Sequence, residues 1–143
     1  MNRPDTGRTA PADPPSGRTY VTNAVAAVRG GAQYQDLRGT VRFTQRRAGV
    51  TVQAEITGLP QTRAGFFAFH LHDGVCGDAG GDPLNYFPAS DGHYNPGNMP
   101  HPMHAGDFPP LLETRNGSAY LMFLTDRFTV GQAIGKAVVI QGM

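Results

Sequence analysis

Every histidine of the chain, five in all, falls between residues 70 and 104, and an aspartate closes the group. His70 and His72 belong to the stretch FHLHDG. His93, His101 and His104 belong to DGHYNPGNMPHPMHAGD, which ends at Asp107. Imidazole nitrogens and a carboxylate oxygen are zinc ligands, and a mainly imidazole set also suits copper. His70 and His72 are one residue apart in an apolar run, so in a strand they share a face and converge on one ion. His101, His104 and Asp107 form H-x-x-H-x-x-D in a loop rich in Pro and Gly, and Gly92 and Pro96 bracket a tight turn at His93. Three imidazoles and a carboxylate make a four-coordinate zinc set. A single loop histidine is ordinarily just solvated; the gathering of all five with an aspartate is what points to metal.

Strands must position these groups. In GVTVQAEITGL, Val50, Val52, Ala54 and Ile56 alternate with Thr51, Gln53, Glu55 and Thr57, a period of two with one apolar face. TVRFTQ (Thr40 to Gln45) alternates likewise, with Val41 and Phe43 inward, and Arg47-Ala48-Gly49 fits a hairpin turn between the two. NAVAAVRG (Asn23 to Gly30), GFFAFHLH (Gly65 to His72), SAYLMFLTD (Ser118 to Asp126) and KAVVIQ (Lys136 to Gln141) read as further strands. Asn116-Gly117, after FPPLLETR, is a strong hairpin signal. About seven strands are expected and no segment has a helical period, so the fold class is all-β, an antiparallel sandwich or Greek-key barrel. The strand KAVVI is apolar after Lys136 and reads as an exposed edge, an arrangement that natural proteins ordinarily cover.

Composition agrees. Gly and Pro total 31 of 143 residues (19 and 12), and charged residues make up only 16%. A formal charge of +1 gives no field of one sign, which argues against nucleic acid or an acidic membrane surface as partner. Residues 1–19 are polar and Pro-rich with no apolar run; the expectation is a flexible arm, no signal peptide and a cytoplasmic protein, with the domain over 20–143. Cys76 is the one cysteine, so no intrachain disulfide forms, and a passive thiol is the expected role.

GFFAFHLHDG, Cys76, GHYNP and HAGD, in that order and within that strand frame, resemble the copper–zinc superoxide dismutase family from about Ala24 to Ile140. The resemblance implies that family's Greek-key β-barrel, with copper and zinc as cofactors and superoxide as substrate. It implies copper on His70, His72 and His93, and zinc on His93, His101, His104 and Asp107. His93 then bridges the two metals and relays a proton to the peroxide, while zinc fixes the loop.

The resemblance also implies what is altered. Where the family has a fourth copper histidine after its valine-rich strand, this chain reads AVVIQ, so Gln141 offers a weak amide ligand. The family's substrate-guiding loop, its arginine beside copper and its closing strand, with the cysteine that would pair with Cys76, are absent from the sequence. The expectation is a superoxide dismutase-like enzyme of impaired activity lacking the final strand, with room for a homodimer through the exposed barrel edge. The alternative is a zinc-stapled β-barrel or a copper-binding protein without turnover.

Overall fold

The computed structural model describes residues 21–74 and 92–142. The expected arm over residues 1–19 and Cys76 lie outside them. Seven strands form among the described residues, six of them where the sequence placed strands and β5 within FPPLLETR, where no strand was assigned: β1 (Asn23–Arg29), β2 (Arg38–Gln45), β3 (Val50–Thr57), β4 (Phe66–His72), β5 (Leu111–Leu112), β6 (Ala119–Thr125) and β7 (Ala137–Gly142). One antiparallel sheet has the order β1-β2-β3-β6 and the other β5-β4-β7. The chain crosses between sheets after β3, after β5 and after β6. The result is an all-β sandwich of Greek-key character.

The period of two decides what each face does. Val41, Phe43, Val52, Ala54 and Ile56 of the first sheet are buried, as are Phe67, Phe69 and Leu71 of β4. Aromatic rings from loops complete this core. Phe108 stands edge-on to Phe69 with centroids 4.9 Å apart, and Phe128 lies 6.1 Å from Phe108 and 6.5 Å from Tyr94. Fully burying such rings stabilises the fold by ~1.5–3 kcal/mol each. Since Phe67, Phe69 and Leu71 point inward, Ala68, His70 and His72 occupy the outer face of the second sheet. The histidines therefore sit on the outside of the sandwich, under the loop of residues 92–108.

Two expectations need correcting. Asn116-Gly117 does form a turn: the Thr114 N–H donates to the Ser118 carbonyl at 2.7 Å, and Gly117 adopts φ +81°. The strands it joins do not pair with each other, because β5 pairs with β4 and β6 with β3. Fully buried Leu111 holds β5 to one side of the core, while the Leu59 N–H donates to the Gly117 carbonyl at 2.9 Å and draws the turn to the end of β3. A Cβ on Gly117 would meet the Leu59 carbonyl oxygen at 2.6 Å, so a side chain would break this crossing.

The second correction is a single helical turn, α1 (Val130–Ala133), where none was expected. Four residues are too few to show a period. A capping box nucleates the turn: the Thr129 side chain accepts from the Gln132 N–H, and the Gln132 side chain accepts from the Thr129 N–H. Among the described residues no helix is long and apolar enough to cross a membrane.

β1 and β7 each stand at the end of their sheet among the described residues. Between them lies a cavity of about 290 Å³ lined by Ala27, Val28, Tyr34, Leu37, Val138 and Ile140.

Candidate metal centre

The loop over β4 is held by backbone bonds, which place its side chains. The Tyr94 N–H donates to the Leu71 carbonyl at 2.7 Å, the Leu71 N–H to Gly106 at 2.8 Å, and the Gly106 N–H to Tyr94 at 2.8 Å. The loop's two arms thus pair with β4 and with each other, and bridges set His93 opposite His72 and Asp107 opposite His70. A Cβ on Gly106 would stand 2.2 Å from the Leu71 carbonyl oxygen. Only glycine allows the arm this close.

Two ligand candidates are each followed by a buried aromatic residue: His93 by Tyr94 and Asp107 by Phe108. Consecutive residues in extended chain face opposite ways, so seating the ring in the core turns its neighbour outward, over β4. Lys136 supports this seat, its ammonium 5.2 Å from the Tyr94 ring centroid and 3.4 Å from Asp73 Oδ1.

The resulting cluster centres on Asp107, whose side chain is only 5% exposed. His93 Nδ1 lies 3.0 Å from Asp107 Oδ1, His104 Nδ1 lies 3.2 Å from the same oxygen, and the two nitrogens are 3.3 Å apart. With bonds of about 2.0–2.1 Å, ligand atoms on a tetrahedral zinc ion stand ~3.3 Å apart. The triangle matches one face of that tetrahedron. His101 Nδ1 approaches the other oxygen, Asp107 Oδ2, at 3.2 Å, and its side chain is 56% exposed. Ligand atoms of His70, His93, His101 and Asp107 all fall within 4.8 Å of one another.

On β4 the ring of His70 stacks on that of His93 with centroids 3.8 Å apart, and His72 lies 4.9 Å from His93. His70 Nδ1 is buried and makes no hydrogen bond. A buried imidazole nitrogen without a partner costs free energy unless an ion takes its lone pair, so His70 fits a metal ligand. Burial, and then the adjacent His93, lower the His70 pKa to about 4, which keeps that lone pair available in mildly acidic solution. Burial raises the Asp107 pKa, but the His104 backbone N–H at 2.9 Å and the His101 and His104 imidazoles outweigh it, so the carboxylate ends below its ordinary value.

A family model of copper/zinc superoxide dismutase matches residues 37–142. The chain belongs to this family. A Legionella pneumophila copper–zinc superoxide dismutase is 34% identical over 109 residues, 71% of this chain and 61% of that protein. One from Paramecium bursaria Chlorella virus 1 is 27% identical over 131 residues, 85% of this chain and 63% of the relative. One from Mycobacterium tuberculosis is 33% identical over 105 residues, 68% of this chain and 43% of the relative. The chain thus spans less than two thirds of the length of these relatives.

As a copper/zinc superoxide dismutase-type sandwich, the structure gathers all five sequence-identified histidines and Asp107. Gln141 stands apart. The β4–β7 register sets it opposite Ala68, on the same sheet face as His70 and His72, but exposed at the strand's end. His93 lies on a bridge with His72, and the tight turn follows it, closed by the Asn98 N–H on the Asn95 carbonyl at 3.2 Å. The motifs do not reveal Tyr94, Gly106 or Phe108 as supports. The one signal for them is an aromatic residue directly after His93 and after Asp107.

Proposed function

We propose that the chain is a metal-binding, superoxide dismutase-like protein, with zinc held by His93, His101, His104 and Asp107 and copper by His70, His72 and His93. The observation that carries this reading is the position of His93, whose Nδ1 faces Asp107 at 3.0 Å while its ring lies 3.8 Å from His70 and 4.9 Å from His72. One imidazole belongs to both groups. When bound, copper supplies the one-electron chemistry that converts superoxide to oxygen and hydrogen peroxide.

The chain's own part is to orient and to move a proton. With Nδ1 committed beside Asp107, the other nitrogen of His93, Nε2, serves the β4 side and is the atom that takes up and returns a proton. His93 is in this sense the catalytic residue. Asp107 and His104 hold its ring, so the proton moves at a fixed point. Gln141 is exposed and offers a neutral amide, so turnover is expected to fall far below that of a protein with imidazole there.

The test is superoxide consumption by protein loaded with copper and zinc and then freed of loosely held metal. Activity proportional to tightly bound copper supports the proposal. Tight zinc without activity favours a second reading, a zinc-stapled sandwich, for which the close spacing around Asp107 and the exposure of Gln141 both speak. Association of two copies is the partner reading. Ala24–Val28 of β1 and Ala137–Gln141 of β7 carry no charge along sheet edges that border the 290 Å³ cavity. Sedimentation at micromolar concentration checks this, and a monomer rejects it.

A further inference from the structure

Residues 96–103 are the part of the metal loop that its buried anchors do not reach: every one of them is exposed, His101 included. The Met103 N–H bonds to the Pro100 carbonyl at 2.7 Å and closes a turn, but that bond is internal to the segment. Among the described residues, the backbone of the stretch is hydrogen-bonded from outside the loop by one side chain, while the His101 ring lies 6.0 Å from that of His70. Arg127 Nη1 donates to the Pro102 carbonyl at 3.0 Å and to the His104 carbonyl at 3.0 Å. We propose that Arg127 is a positioning residue for the metal centre, a guanidinium clamp that fixes the segment carrying His101 and His104. The inference rests on the assignment of those residues as zinc ligands.

Three features make Arg127 a clamp rather than a surface charge. First, its base is rigid. The next residue, Phe128, is 3% exposed and packs against Phe43, Tyr94 and Phe108, so the rings that seat His93 and Asp107 also seat Arg127. Just beyond, the Val130 N–H donates to Gln45 Oε1 at 2.9 Å and the capping box fixes Thr129. Second, one nitrogen bonds two carbonyls on either side of Met103, which restrains both the position and the tilt of the segment. Third, the peptide groups flanking His104 are held at both ends. Its N–H donates to Asp107 Oδ2 at 2.9 Å, while its carbonyl accepts from the Asp107 N–H and from Arg127. With its backbone fixed in this way, the His104 ring has only its own side-chain torsions left to sample.

The bonds go to neutral backbone carbonyls, so Arg127 neither ligates metal nor competes with the carboxylate for it. Its effect should therefore appear in metal affinity and ligand-field geometry, and not in the stability of the metal-free sandwich. The experiment compares wild type, Arg127→Ala and Arg127→Lys in zinc competition against a chromophoric chelator, in cobalt(II) visible spectra, and in metal-free urea unfolding. Arg127→Ala is expected to weaken zinc by about 10–100-fold and to shift the cobalt bands, with the metal-free midpoint unmoved. Arg127→Lys, keeping a nitrogen donor but not the rigid guanidinium plane that sets its direction, is expected to recover part of the affinity. Faster amide exchange at Met103 in metal-free Arg127→Ala gives a readout that needs no metal.

Unchanged zinc affinity and cobalt spectra in Arg127→Ala, with wild type binding normally, overturn the clamp alone. A loss of affinity matched by an equal loss of metal-free stability also overturns it, as mere packing. Failure of the wild type to bind zinc or cobalt overturns the zinc assignment and the clamp with it.

Discussion

Around Asp107 the rings of His93 and His104 stand 5.3 Å apart between centroids and meet a carboxylate between them, whereas the rings of His70 and His72 on β4, 6.1 Å apart, have no third ligand from their own strand. The Asp107 side is assembled within one loop, whose arms bond to β4 and to each other. All of its ligands come from residues 93–107, at a spacing that approaches that of a bound zinc ion. The β4 side is set by the strand period, which aims two imidazoles the same way and adds no further ligand. A compact ligand set there needs contributions from other elements: His93 arrives from the loop, and β7 brings Gln141. The loop side supplies its own ligands, while the sheet side takes ligands from its neighbours.

The largest expected effect comes from unseating the loop. Phe108→Ala removes the ring beside Asp107 from a core where it touches Phe69, Phe123 and Phe128. It should cost about 3–5 kcal/mol in chemical denaturation and weaken zinc along with it. Equal zinc affinity in that variant would mean that the Asp107 side does not depend on its aromatic anchor. Next, Asp107→Asn keeps shape but removes the charge at the centre of the cluster. Zinc affinity should fall by more than about 100-fold, beyond what supporting residues alone account for. The His70–His72 side should still bind copper.

Acidification acts on both sides in one direction but in different windows. In the metal-free protein the His70 pKa is lowered to about 4, so below the ordinary histidine value the unfolded chain binds a proton that the folded one refuses. Stability should therefore fall as pH drops from about 6.5 toward 4, by on the order of 3 kcal/mol. His70→Gln should flatten that slope, and an unchanged slope would assign it elsewhere. The Asp107 pKa is also lowered, so its contribution is present above the ordinary carboxylate range and is lost at more acidic pH still. The smallest effect is a gain. Gln141→His should tighten copper by about tenfold, roughly 1.4 kcal/mol, read by competition with a copper chelator. No gain would show that β7 does not complete the sheet side.

The strands were legible because Val50 to Ile56 alternate without interruption and Gly65 to His72 are rich in aromatics, and both are local properties. The same period identified the shared face of His70 and His72. H-x-x-H-x-x-D marked the loop cluster by composition. What the sequence did not disclose depends on packing between distant segments. Asn116-Gly117 announces a turn, but only buried Leu111 and the bond from Leu59 decide that the turn crosses between sheets. The spacing Thr129 to Gln132 is a capping-box signature, yet a single turn gives no periodicity to support it. Arg127 lies in no motif; its part follows from two carbonyls that the fold brings to it from residues 102 and 104.

The seating of Tyr94 has a practical consequence. The chain contains no tryptophan, so its ultraviolet emission comes from tyrosine, and of the described tyrosines Tyr34 and Tyr120 are 41% and 61% exposed while Tyr94 is 8% exposed. Tyr94 adjoins His93 in sequence and shares its loop arm. Light emitted by that phenol therefore reports on the neighbouring imidazole, and a paramagnetic ion arriving there should quench it while leaving the solvent-facing rings bright.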